Sequence, residues 1–161
     1  MIRNLLIASV VLLAPAAALA QTLPTAPYLP LEMAEKAAKA ALQACVAKGN
    51  AVTVAIVTRD GATKAVLKAD NSGPHTVSSA TGKAFAAASL GRDIGEIAEF
   101  IASKPANDGL RNMDERMVIQ AGGLPIKIGE ALVGGIGVGG APSGAIDAEC
   151  AREGLNAIGA K

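Results

Sequence analysis

This chain builds its β-structure from hairpins and never alternates strand, helix, strand, which restricts the fold more than any other feature. Ala51 to Thr58 is rich in Val and Ile and reads as a strand. Arg59-Asp60-Gly61 carries the Asp-Gly signature of a tight turn, and Thr63 to Leu67 returns as the partner strand. Met117 to Ala121 reads as a third strand, with Gly122-Gly123 turning the chain after it. Pro125–Ile128 and Ala131–Val138 form a second hairpin around Gly129-Glu130. Helical segments frame these hairpins. Leu31 to Lys48 repeats small apolar residues at helical spacing and stops at Gly49-Asn50. Ser78 or Ser79 is expected to cap a helix through Ala80, Ala84, Phe85, Ala88 and Leu90. Asp93 is expected to cap a shorter one to Ser103, Lys104 to Asn112 reads as irregular, and Asp147 is expected to open the last helix, to about Ile158. The order implies one antiparallel sheet of five strands flanked by helices, an α+β layer fold.

The N-terminus bears on the compartment. Met1-Ile2-Arg3-Asn4 is short and basic, Leu5 to Ala18 is an apolar run, and Ala18-Leu19-Ala20 ends it with small residues at the A-x-A positions. This is the pattern of a secretory signal peptide cleaved after Ala20, with an uncleaved N-terminal anchor as the alternative. Pro15 interrupts a run already short for a membrane span, and no later segment is long enough for one. The expected organisation is a signal peptide at 1–20, a proline-rich extended lead-in at 21–30 and one domain at 31–161. The expected location is the periplasm or the medium. In an oxidising compartment, Cys45 near the end of the first helix and Cys150 near the start of the last can form a disulfide if those helices pack antiparallel. Two buried thiols are the alternative.

The chain has 15 Lys and Arg against 14 Asp and Glu, with no basic run, which argues against a nucleic-acid partner. With one Tyr, two Phe and no Trp there is no stacking platform for bases or sugars. Gly135-Ile136-Gly137-Val138-Gly139-Gly140 matches GxGxxG, yet it ends a hairpin rather than opening a helix, so it marks a close approach of two backbones. One histidine and no GxSxG elbow leave no serine-hydrolase triad, and His/Cys metal clusters have no ligands to draw on. Asp114-Glu115-Arg116 reads as a solvated charged turn, and Glu96 and Glu99 as helix surface. His75, after a Gly-Pro turn and before a helix, is the only imidazole and is placed on a loop. A lone histidine of this kind is most often an ordinary surface residue.

Several segments, in this order and spacing, resemble the GlcG/HbpS-type haem-binding family, which is similar to the C-terminal domain of PduO. They are the first helix with Val52-Thr53-Val54-Ala55-Ile56-Val57-Thr58-Arg59-Asp60-Gly61, then Gly82-Lys83-Ala84-Phe85-Ala86-Ala87-Ala88-Ser89, Gly122-Gly123-Leu124-Pro125-Ile126, Gly134 to Gly140, and Asp147 with Cys150-Ala151-Arg152-Glu153-Gly154-Leu155. The resemblance covers roughly residues 30–160. It implies a profilin-like sandwich, haem as cofactor, and homo-oligomers. Gly73-Pro74-His75-Thr76 matches an exported subgroup. The resemblance makes His75 the candidate axial ligand of haem iron, since a neutral imidazole is a common ligand there. Thr76 is then a candidate hydrogen-bond partner of that imidazole, and Arg59 and Lys83 are candidates to pair with haem propionates. The implied function is an exported protein that buffers, scavenges or senses haem. Two rival readings are an enzyme that degrades haem or another small molecule in the same cleft, and an oligomeric module that acts by capturing an extracytoplasmic protein partner.

Overall fold

The computed structural model describes residues 23–161; the expected signal peptide and its cleavage point lie outside them. Helix α1 spans Leu31–Ala47, strand β1 Thr53–Thr58 and β2 Thr63–Lys68. Helix α2 (Thr76–Leu90) and α3 (Ile94–Ser103) follow, then a 3-10 segment, Pro105–Asn112. The second hairpin is β3 (Gly123–Ile128) and β4 (Ala131–Gly139), and α4 (Gly144–Ala157) ends the fold. The strands form one antiparallel sheet in the order β2-β1-β4-β3. The α+β architecture is as expected, with four strands in place of five.

The missing strand has a clear cause. Met117 to Ala121 joins no ladder. Its Val118 N–H donates to the Gly82 carbonyl on α2, 3.2 Å away. Ile119 is buried among Ala86, Ala87, Ile94, Ile97 and Ile101. The apolar pattern of this segment therefore covers the outer side of a helix rather than extending the sheet.

The two faces of the sheet differ in side-chain size, and this sets the layers. One face carries Val54, Ile56, Leu124, Ile126, Ile136 and Val138, packed on α1 and α4. The other face carries Ala55, Val57, Gly135, Gly137 and Gly139 against α2. A methyl group on Gly137 would meet the Ala80 carbonyl and the Ala84 amide, and one on Gly135 the Ala84 carbonyl and the Ala88 amide. The expected close approach of backbones is thus between β4 and α2. The outer side of α2 is covered in turn, because Gly82 faces Val118 and Arg116. A helix buried on both sides shows no amphipathic stripe, which fits its all-round run of small residues.

Three helix starts show how local chemistry sets boundaries. Asp93 caps α3 as expected, accepting from the Gly95 N–H at 2.8 Å. Helix α2 begins earlier than the serines suggest, with His75 at the N-cap position and no side-chain cap. Ser143, not Asp147, caps α4, accepting from the Ile146 N–H at 3.3 Å. Cys45 and Cys150 form a disulfide between α1 and α4, with Cα atoms 5.5 Å apart. Gly154 lets the same two helices close up over Ala37 and Ala41.

Candidate functional site

Helix α2 carries or contacts each expected site residue, but spreads them along its length. His75 stands exposed at its N-terminus. The loop before it is braced by short local bonds. Ser72 Oγ donates to the Ala69 carbonyl at 2.9 Å, and Lys68 Nζ donates to the Ser72 carbonyl. The ring of His75 rests over Gly73, since an added Cβ there would lie 2.7 Å from Cε1 and 2.9 Å from Nδ1. Glycine at position 73 is therefore what leaves room for the imidazole in this pose.

Thr76 is 1% exposed and turned inward. Its hydroxyl donates to the Gly73 carbonyl at 2.7 Å and shares a 2.7 Å hydrogen bond with the Thr53 hydroxyl. Its bonds are thus to the loop and to β1, not to the imidazole. It acts on His75 only by fixing the turn beneath the ring.

Lys83, expected as a propionate partner, belongs to the interior. It is 1% exposed, and Nζ donates to Asp147 Oδ2 at 2.9 Å and to the Val138 carbonyl at 3.0 Å. Asp147 Oδ1 accepts from the Ala141 N–H at 3.1 Å. Burial pushes the Asp147 carboxyl above its ordinary range, and the Lys83 ammonium opposes that rise. The pair ties α2, the end of β4 and the start of α4 together. The residues alone suggest no contact between the two, although one signal is present: a lysine amid small residues on all sides has no solvent face to point to.

Arg59 lies at the other end of α2. Its Nη1 donates to the Ala88 carbonyl at 2.8 Å, in the last turn of the helix. At the α-helical rise this places it about 20 Å from His75. A single haem reaches its own propionates over a much shorter span, so His75 and Arg59 of one chain do not serve the same haem.

Each end of the molecule has a cleft. Near the His75 end, one of about 490 Å³ is lined by Leu42, Val46, Asn50, Ala51, Lys68 and Asp70. Near the Arg59 end, one of about 420 Å³ is lined by Tyr28, Leu29, Thr58, Arg59, Lys64 and Val133, among others. Among the described residues no three His, Cys, Asp or Glu side chains gather as a metal site, and no helix is long and apolar enough to cross a membrane. The Asp114–Arg116 turn is an ion pair at 2.6 Å with Arg116 lying over the Phe85 ring, and the guanidinium holds the Asp114 carboxyl at about 2.

A four-stranded antiparallel sheet between two helical layers, with one exposed histidine at a helix start, defines a layered α+β domain. The family model described as haem degrading protein HbpS-like matches residues 29–156, and the chain belongs to that family. A double mutant of HbpS from Streptomyces reticuli is 40% identical, with a TM-score of 0.80 over 90% of this chain and 97% of its own. The ORFY protein of Klebsiella pneumoniae, at 24% identity, has a TM-score of 0.80 over 88% and 98% of the two chains. A PduOC:heme complex, at 20% identity, has a TM-score of 0.76 over 84% and 98%. The last two establish likeness of fold. A search of curated proteins returned no significant match.

Proposed function

We propose that the protein is an exported haem-binding protein, released by cleavage after Ala20, in which His75 supplies the axial ligand. The observation that carries this reading is the placement of the chain's only imidazole: exposed, at the start of a helix, on a braced loop. Membership of the HbpS-like family supports it. Bound haem supplies an iron whose axial position accepts a neutral imidazole.

The donor fits that role, and the surroundings of one chain meet it halfway. The exposed side chains Val46 and Val77 lie at the His75 end, and among the described residues nothing encloses the ring. A second copy of the chain closes the site in this reading, so the protein works as a homo-oligomer. The protein's own part is then limited. The Gly73 turn orients the imidazole, Thr76 and Thr53 hold the turn, and the α2–sheet contact keeps the helix start from moving.

Hemin titration of wild type beside His75→Ala, followed by absorbance, tests the proposal. A saturable Soret band lost or displaced in the variant is expected. No band with wild type removes haem as the ligand. A second reading, haem degradation, is favoured by the family description. Haem brings the oxidative chemistry itself, so few protein groups are needed. Soret loss with iron release under peroxide or reductant, faster than for free hemin, is its expected result; decay at the rate of free hemin refutes it.

A further inference from the structure

The cleft at the Arg59 end has a chemistry of its own. Leu29 is fully buried in the core and pins the N-terminal lead-in, which fixes Tyr28 beside it on the rim. Pro27, Leu29 and Val133 give apolar walls. Two cations, Arg59 and Lys64, line the same cleft. Arg59 is anchored at both ends. Its backbone N–H donates to the Val133 carbonyl at 3.1 Å, and its Nη1 donates to the Ala88 carbonyl. A guanidinium has five N–H donors, so those left over remain for a ligand. Lys64 Nζ sits 5.9 Å from the centre of the Tyr28 ring. Asp60 also lines the cleft, next to Lys64, but its carboxylate is engaged in the β1–β2 turn, accepting from the Thr58 hydroxyl and the Ala62 N–H.

A trough with apolar walls, a phenol on its rim and two cationic residues in its lining is complementary to one ligand class. We infer that this cleft binds an apolar molecule carrying a carboxylate, with Arg59 and Lys64 holding the carboxylate and Tyr28 covering the apolar body. It is a separate site from His75, which is about 20 Å away along α2. The ligand chemistry has two natural sources, the propionate edge of a tetrapyrrole and the head of a fatty acid. The cleft's volume of about 420 Å³ suits an acyl chain or one edge of a macrocycle.

The molecule provides its own probe, because Tyr28 is the only tyrosine and there is no tryptophan. Tyrosine fluorescence is recorded while the protein is titrated with oleate and, separately, with iron-free protoporphyrin IX. Wild type and His75→Ala are expected to show the same saturable change with at least one probe. The Arg59→Gln/Lys64→Gln variant is expected to bind it at least tenfold more weakly while still unfolding cooperatively within a few degrees of wild type, the small loss reflecting the Ala88 bond. A response to protoporphyrin alone identifies the tetrapyrrole source, and a response to oleate alone the acyl source. No saturable change with either probe, or equal affinity in the double variant, overturns the inference. Because protoporphyrin carries no iron and oleate no ring, loss of the His75 reading in a hemin titration leaves this result independent.

Discussion

Removing the ammonium of Lys83 is the sharpest way to test how the frame under His75 is held. The Lys83 and Asp147 side chains are 2% and 4% exposed and 2.9 Å apart. Lys83→Met keeps most of the volume and leaves the Asp147 carboxylate buried without its counter-ion. Breaking a buried pair from one side costs about 3–5 kcal/mol. Against a total stability of about 5–15 kcal/mol, that is a large share. It corresponds to a fall in melting temperature of roughly 10–20 °C for a domain of this size. Replacing both partners, as Lys83→Met/Asp147→Leu, removes the unpaired charge. The Val138 carbonyl and the Ala141 N–H then lose a partner each, at about 1–3 kcal/mol per group, so only part of the loss is recovered. The pH dependence has a definite sign. Burial already holds the folded-state pKa of Asp147 above its ordinary 3.8, and loss of Lys83 raises it further. The folded variant therefore keeps its proton to higher pH than the unfolded chain. Its stability is fully present below about pH 4 and falls as pH rises through the raised value. Urea denaturation at pH 4 and pH 7, each compared with wild type, is the assay. The deficit of Lys83→Met should be larger at pH 7. A deficit under about 1 kcal/mol at pH 7, or one that grows on acidification, would refute the argument.

Other consequences are checked as directly. Gly137→Ala drives a methyl into the α2 backbone, where no side chain can swing away, and should cost at least about 1–3 kcal/mol in a urea melt; a wild-type midpoint would show that α2 is not seated on β4. The Cys45–Cys150 bond spans 105 residues, and reducing it should lower stability by up to about 4.7 kcal/mol on the chain-entropy model. An identical urea midpoint with and without reductant would count against the crosslink. Gly73→Ala should displace the His75 ring and alter the hemin spectrum while leaving the melting temperature within a few degrees of wild type; an unaltered spectrum would show that the ring's pose over Gly73 is immaterial to binding.

Elements set by local chemistry were legible from the residues. The Arg59-Asp60-Gly61 turn, the Gly129-Glu130 turn and the Asp93 cap each declare themselves within a few positions, and each is present. Met117–Ala121 reads as a strand and is not one, because an apolar run covering a helix has the same composition as a strand. Asp147 looks like a helix opener by type, but a carboxylate that pairs across 64 positions leaves no local sign. His75 reads as a loop residue ahead of a helix, and the helix starts early enough to take it as its N-cap. The distance between His75 and Arg59 was not legible, because it depends on which end of β1 meets which end of α2, a matter of topology. The buried side of Thr76 follows from the same packing, where Thr53 on β1 faces it.

Chemical rescue is the most direct test of the central claim. Ferric haem is added to wild type and to His75→Ala, and free imidazole is then titrated into the variant. If His75 is the axial ligand, the variant's altered Soret spectrum should return toward that of wild type as imidazole fills the vacated position. A variant spectrum identical to wild type before any imidazole is added would contradict the account and place the ligand elsewhere.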